Sequence, residues 1–415
     1  MHHNHDDSTF PAKPRGNASA FWHFVGIIFF ILGLGTLLPW NFFMTASLYF
    51  NNRLNTSEWS NGTMTSTKEY YFNNWMTLLS QLPLLLFTLL NSILYPRISE
   101  KIRIAGSQFF ILILFILTAI LVKVPMVQDR FFSITMATIW FINSFGAVLQ
   151  GSLFGLVGLL PQKYSTFFMS GQGLAGAFAA LAILMAIASD TNAETAALGY
   201  FITPCVGTLV TLISYLLLPK LEFARLYLNK SKGQSYEVDA SRELLPKGAI
   251  WVMAFCITFV VMVTLAVFPA ITVDVKTVYE GKWENYFIPV CCFLLFNVMD
   301  WIGRSITSHV RWPSKESRLF PVLVVSRVIF IPLLMFCNVQ ERHFMPVLFG
   351  NDWSFAIIMV FFSVSSGYCV CLSMSYAPQL VAPQDGETTG ALMMFFLALG
   401  LSLGAALSFL LRLII

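Results

Sequence analysis

Apolar residues run through this chain in blocks of about twenty, separated by short polar breaks. A helix of about that length crosses the ~30 Å hydrocarbon core of a bilayer. Strands of a membrane barrel would instead alternate over about ten residues. The pattern predicts an all-α integral membrane protein with eleven transmembrane helices, at residues 22–48, 72–95, 104–124, 131–160, 166–188, 196–218, 249–273, 286–310, 319–338, 354–376 and 388–411.

The composition excludes a soluble protein. Hydrophobic residues make up 57% of the 415 residues and charged residues only 11%, against roughly 25% in ordinary globular domains. The net charge of +4 forms no basic stripe, so we expect no nucleic-acid partner. The seven cysteines all lie in apolar runs, and no second cysteine pair or histidine completes a metal site, so we expect no metal and no cofactor.

The longest cytoplasmic interval between predicted helices is residues 219–248, whose mixed charges indicate a flexible linker. It separates a six-helix bundle at 22–218 from a five-helix bundle at 249–415, after a cytoplasmic tail at 1–21. This 6+5 two-bundle arrangement resembles a major-facilitator-like carrier with one helix missing. Solute sites in such folds lie near the bilayer midplane, between the halves.

The distribution of basic residues predicts the orientation. With the N-terminus in the cytoplasm, fifteen of the 25 Lys and Arg residues fall in cytoplasmic segments and eight in outside segments. This excess favours a cytoplasmic N-terminus and, with eleven spans, an extracellular C-terminus. Asn55 and Asn61 both begin N-x-S/T triplets in the largest outside loop, so we expect a glycoprotein.

Polar residues inside apolar spans are costly to bury and are the best candidates for function. Asn297, Asp300 and Arg304 share one face of the eighth span, since they lie three and four residues apart. One interpretation is a clamp for a polar, uncharged solute, in which the carboxylate accepts from hydroxyls and the guanidinium donates. The other is a structural ion pair that fixes helix packing.

Two other spans carry candidate contacts. In the fourth span Gly146 and Gln150 share a face with Asn143; the Gln150 amide suits either the edge of a nucleobase or an interhelical hydrogen bond. The first span carries a stripe of residues at helical spacing: Leu37, Trp40, Asn41 and Met44. Trp40 is either a core residue or a stacking surface for a flat ring.

The sequence favours a carrier over other classes of membrane protein. A GxGxxG match at 171–176 lies in an apolar helix with no strand before it, which excludes a dinucleotide site. No catalytic group within a span indicates an enzyme, and no ring of like charges indicates a pore. A proton-coupled carrier of nucleosides, sugars or organic solutes remains the alternative, although the main midplane acid, Asp300, already has a cationic neighbour.

Five stretches resemble the equilibrative nucleoside transporter family (solute carrier family 29): 33–44, 73–91, 146–161, 170–176 and 300–305. The similarity covers nearly all of residues 24–415, and the vertebrate type 1 and type 2 members are most alike. The resemblance implies sodium-independent facilitative transport of purine and pyrimidine nucleosides such as adenosine and uridine, and of nucleobases in some members. It also implies a multi-pass plasma-membrane protein that works by alternating access, binds nucleoside-analogue inhibitors and contacts membrane lipid.

Carried over by motif, the resemblance assigns Gln150 to the base and Asp300, Arg304 and Asn297 to the ribose. It completes the substrate cavity with Leu37, Trp40, Asn41, Met44, Gln81, Leu84, Gly146 and Leu401, and it makes Arg103 and Glu387 gating residues. Gly146 matches type 1 members, whereas 72–75 and 199–207 are typical of type 2, so the subtype stays open, as does the oligomeric state. Ser366 stands where the family often has Asn.

Overall fold

The structure is a computed structural model that describes residues 17–55, 59–60, 63–64, 70–221, 225 and 248–415. Its described residues up to 221 include seven α-helices: α1 (Asn17–Thr45), α2 (Ser47–Leu54), α3 (Phe72–Leu94), α4 (Glu100–Lys123), α5 (Gln128–Gly158), α6 (Gln162–Ala188) and α7 (Ala193–Leu217). A short antiparallel pair, β1 (Trp59–Ser60) and β2 (Thr63–Met64), follows α2, with Trp59 opposite Met64.

The second part of the chain is also helical. Its helices are α8 (Gly248–Val267), α9 (Trp283–Phe287), α10 (Leu295–Ile306), α11 (Leu319–Ser326), α12 (Phe330–Met335), α13 (Asp352–Tyr376) and α14 (Gly386–Ile414). A π-helical segment, Ile288–Leu294, joins α9 to α10 without a break. Across the described residues, ten helical segments are long and apolar enough to cross a membrane, as the hydrophobic pattern predicts for an all-α membrane protein.

The predicted ninth span, 319–338, differs from the other ten. It is a shorter apolar segment, Leu319–Met335, in which a 3-10 turn at Arg327–Ile329 separates α11 from α12. Pro332 lies within this segment and has no N–H to donate to the carbonyl of Val328, four residues earlier. Arg327, the first residue of this turn, is buried at 2% exposed.

The packing of the helices forms two walls with a space between them. In the first part of the chain, α1 packs along α6 and α7, while α5 packs against α3 and α4. In the second part, α8 packs against α13 and α14, and α10 against α13. The two walls meet where α6 contacts α10 and where α14 contacts α3 and α5.

The two ends of the assembly differ in their contacts. We call the end that carries 46–55, 70–71, 189–192 and 268–282 the open end, and the end that carries 95–99, 159–161, 307–318 and 377–385 the closed end. At the closed end α5 and α14 nearly touch: a Cβ on Gly158 would lie 2.3 Å from the carbonyl oxygen of Gly386.

Candidate functional site

A cavity of about 1250 Å³ lies between the two walls. Ser47, Asn73, Asp190 and Val273 line its mouth at the open end. Among the described residues that line it, none belongs to the closed-end connections. The structure therefore holds a space that communicates with one end of the assembly only.

The cavity brings together side chains from both walls. All twelve residues that the sequence and the resemblance single out as substrate contacts line it: Leu37, Trp40, Asn41, Met44, Gln81, Leu84, Gly146, Gln150, Asn297, Asp300, Arg304 and Leu401. They come from α1, α3, α5, α10 and α14, so residues far apart in the sequence share one surface.

The charged part of the cavity lies on α10. Nε of Arg304 donates to Oδ2 of Asp300 at 2.9 Å, which confirms the ion pair expected from the i, i+4 spacing. Asp300 is only 8% exposed, and a carboxylate so placed needs a cationic partner. Within the described part of the chain, Oδ1 of Asp300 and Nη2 of Arg304 have no hydrogen-bond partner. The pair thus leaves one acceptor and one donor free.

Close helix packing fixes α10 between α6 and α13. A Cβ on Gly176 of α6 would lie 2.2 Å from Oδ1 of Asn297, and one on Gly367 of α13 would lie 2.2 Å from the carbonyl oxygen of Asp300. Only glycine permits such approaches, a common use of small residues between membrane helices. The π-helical segment before α10 adds a local change of helix geometry of the kind often found at functional sites.

The facing wall supplies neutral polar groups and one flat ring. Gln150 makes no hydrogen bond within the described residues, and Oε1 of Gln81 is buried without a partner. Trp40 stacks on Phe43 with ring centroids 5.4 Å apart and planes 9° from parallel. A Cβ on Gly146 would meet nothing within 4 Å, so this position leaves room in the cavity.

Two amides are instead tied to their own helices. Asn41 donates from Nδ2 to the carbonyl of Leu37, and Asn297 donates from Nδ2 to the carbonyl of Phe293, both at 2.8 Å. Their side-chain nitrogens are therefore partly committed. The oxygens remain as acceptors.

Arg103 and Glu387 lie together at the closed end. Nη2 of Arg103 is 3.4 Å from Oε1 of Glu387, Nη1 donates to Oγ of Ser152 at 2.9 Å, and Nε donates to the carbonyl of Ile98. The Arg103 side chain is 5% exposed and that of Glu387 20%. This arrangement joins α4 and α5 to the first turn of α14, below the cavity.

The structure adds residues that sequence reasoning left out or did not place. Thr264 and Ser366 line the cavity and share a hydrogen bond of 3.1 Å, although neither was selected as a contact. Behind them Nη1 of Arg327 donates to Thr264 at 3.1 Å. A threonine within an apolar helix is too common to stand out, and nothing in the spacing of Arg327 indicates its partners.

Of the two predicted glycosylation positions, Asn55 is exposed just after α2, and Asn61 lies outside the described residues.

Comparison with known proteins identifies the family. A family model described as "Nucleoside transporter" matches residues 136–248 and 243–413. Human "Equilibrative nucleoside transporter 2" is 52% identical over 96% of this chain and 99% of its own length. This chain belongs to the equilibrative nucleoside transporter family. Human "Equilibrative nucleoside transporter 1" is 45% identical over 97% of this chain and 99% of its own length.

More distant members of the family also align along most of the chain. Rat "Equilibrative nucleoside transporter 3" is 34% identical over 93% of this chain and 88% of its own length. The identity is thus higher to the human type 2 protein than to the human type 1 protein, as the type 2 character of 72–75 and 199–207 suggests. Gly146 remains the exception within this transporter.

Proposed function

We propose that this chain carries nucleosides across the plasma membrane by facilitated, sodium-independent exchange, and that it is a transporter rather than an enzyme. The observation that supports this most is the single-ended cavity whose wall carries the Asp300–Arg304 pair with a free acceptor and a free donor. Its volume of about 1250 Å³ exceeds the roughly 300–1,000 Å³ of common small-molecule pockets. A nucleoside fits together with water.

The geometry of the pair suits a vicinal diol. Oδ1 of Asp300 accepts a hydrogen bond from one ribose hydroxyl, and Nη2 of Arg304 donates to the oxygen of its neighbour. These two charge-assisted hydrogen bonds replace the hydrogen bonds to water that the solute loses on binding. A solute without these hydroxyls leaves Oδ1 of Asp300 and Nη2 of Arg304 without hydrogen-bond partners, which gives selectivity.

Neutral groups on the facing wall suit the base. The amides of Gln150 and Gln81 both donate and accept, so they pair with purine and pyrimidine edges alike. Trp40 offers its ring face for stacking, while the apolar side chains of Leu37, Met44, Leu84 and Leu401 enclose the rest. This combination of amide hydrogen bonds, ring stacking and apolar contacts fits substrates as different as adenosine and uridine.

The transport cycle in this proposal has the two walls rock about the bound solute. We count the broken segment Leu319–Met335 as a span, the ninth in chain order, which brings the total to eleven. Residues 22–218 then form six spans and 249–415 form five, joined by the cytoplasmic linker 219–248. The N-terminus is then cytoplasmic, and the open end, with Asn55, is extracellular. Separation of Arg103 from Glu387 accompanies opening toward the cytoplasm.

Uptake of labelled uridine and adenosine into cells that lack nucleoside transport tests the proposal. We expect uptake that equilibrates without accumulation and is unchanged when sodium is replaced or the pH is varied. Asp274→Asn is a suitable control for variants of Asp300, since Asp274 pairs with Arg412 at the open end and does not itself line the cavity. Accumulation driven by a pH gradient would favour the proton-coupled alternative, and absence of uptake by surface-expressed protein would contradict nucleoside transport.

A further inference from the structure

Gln172 lies on α6 and reaches the charged pair from the opposite wall. It is 4% exposed and lines the cavity. Its Oε1 accepts from Nη1 of Arg304 at 3.4 Å, and its Nε2 donates to Oγ1 of Thr36 at 3.1 Å. Both ends of the amide are therefore bonded, in contrast to the amide of Gln150.

The guanidinium of Arg304 is held on two sides. Nε is bonded to Asp300 on its own helix, and Nη1 faces Gln172 and the carbonyl of Met169 at 3.5 Å, both on α6. These contacts fix the plane of the guanidinium. Of its three nitrogens, only Nη2 has no partner among the described residues, and it is the one left for a solute.

Thr36 anchors the far end of this line. It is 5% exposed and donates from Oγ1 to the carbonyl of Gly33 at 2.7 Å, so its hydroxyl oxygen is oriented to accept from Gln172. The bonds run from Asp300 through Arg304 and Gln172 to Thr36, and they join α10 to α6 and α1. A connected chain of buried hydrogen bonds fixes each of its members more firmly than single bonds do.

We infer that Gln172 is a positioning residue for solute recognition: it orients Arg304 so that Nη2 meets the ribose hydroxyls. The inference rests on the proposed function and adds to it a residue that touches Arg304 rather than the diol. A packing role alone would affect every solute to the same degree. A role through Arg304 affects only solutes that carry the hydroxyls.

The test compares Gln172→Met with Gln108→Met in the full-length chain, using initial rates of uptake of uridine and of 2′,3′-dideoxyuridine. Met keeps the length of the side chain and removes its hydrogen bonds. Gln108 is a matched control, because it is fully buried on α4, does not line the cavity, and has no partner for either amide atom within the described residues.

We expect Gln172→Met to raise the KM for uridine roughly 2- to 10-fold, the loss of one hydrogen bond, with the maximal rate per surface molecule little changed. The KM for dideoxyuridine should stay at the wild-type value, and Gln108→Met should change neither. Thr36→Val should raise the KM for uridine by a smaller factor, and adding it to Gln172→Met should have no further effect, since both act through one line of bonds.

An unchanged KM for uridine in Gln172→Met, or an equal rise for both solutes, would overturn this role. If Gln172→Met does not reach the surface, Thr36→Val decides by the same comparison. A wild-type chain that carries no uridine would contradict the proposed function itself, which separates that failure from a failure of Gln172 alone.

Discussion

Nη1 of Arg327 donates to Oγ1 of Thr264 at 3.1 Å, so a buried guanidinium supports a hydroxyl that lines the cavity. The same guanidinium donates to Oγ of Ser365 and to the carbonyls of Val260 and Phe362. In the part of the chain that the structure describes, no carboxylate pairs with it. Its charge is stabilised by neutral acceptors on α8 and α13, and these bonds tie the broken segment to both helices.

Arg327→Met should therefore destabilise the transporter. The variant loses hydrogen bonds to a charged group, each of which contributes ~1.5–3 kcal/mol, and it removes the link from the 3-10 turn to α8 and α13. We expect a lower apparent Tm of the detergent-solubilised protein and less protein at the cell surface. Arg311→Met is the control, because Arg311 is exposed at the closed end. Equal Tm values for the two variants would contradict this role of Arg327.

The Asp300–Arg304 pair gives the most direct test of recognition. Asp300→Ala or Arg304→Ala removes one of two charge-assisted bonds to the diol, so Vmax/KM for uridine should fall at least about tenfold while surface expression survives. The wild-type preference for uridine over 2′,3′-dideoxyuridine should shrink in both variants. Normal uridine uptake by either variant, with Asp274→Asn as the unaffected reference, would remove the pair from the binding site.

Contacts between residues close together on one helix could be predicted from the sequence, whereas contacts between different helices could not. The i, i+4 separation of Asp300 and Arg304 places them one turn apart on any helix, so their ion pair followed from the sequence alone. The contact between Arg304 and Gln172 joins residues 132 positions apart. Periodicity shows which face of a helix is polar, but not which helix that face meets.

The broken ninth segment shows the same limit for the fold. Its apolar length predicts one continuous span, whereas the structure has a 3-10 turn at Arg327–Ile329. Arg327, in that turn, donates to acceptors on α8 and α13, and those are brought near only by tertiary packing. The family resemblance supplied Gln81 and Leu401, which neither charge nor spacing would have singled out.

Two glycines that line the cavity should respond oppositely to the same change. A Cβ at Gly146 meets nothing within 4 Å, so Gly146→Ser should keep the wild-type Tm and surface level and alter only the shape of the cavity. A Cβ at Gly173 would lie 2.9 Å from Cα of Trp301, a backbone atom of α10, so Gly173→Ser must push α6 and α10 apart and should lower both quantities. Similar behaviour of the two variants would show that the α6–α10 approach is not tight.

The closed-end ion pair should control how many transporters present the cavity to the outside. Glu387→Gln leaves Arg103, whose side chain is 5% exposed, without its carboxylate and weakens the state in which this end is shut. An apparent affinity falls in proportion to the fraction of molecules in the binding-competent state. We therefore expect the external KM to rise by the same factor for uridine and for 2′,3′-dideoxyuridine, unlike the change at Gln172.

Glu194→Gln is the matched control for this gate. Glu194 pairs with Lys123 at 2.7 Å, but the two side chains are 53% and 60% exposed, and exposed pairs of this kind contribute only about 0–1 kcal/mol. The KM of the Glu194→Gln variant for uridine and for 2′,3′-dideoxyuridine should stay within about twofold of wild type. Because a change in the population of states cannot distinguish one solute from another, a rise confined to uridine in Glu387→Gln would mean that Glu387 acts on recognition and not on the gate.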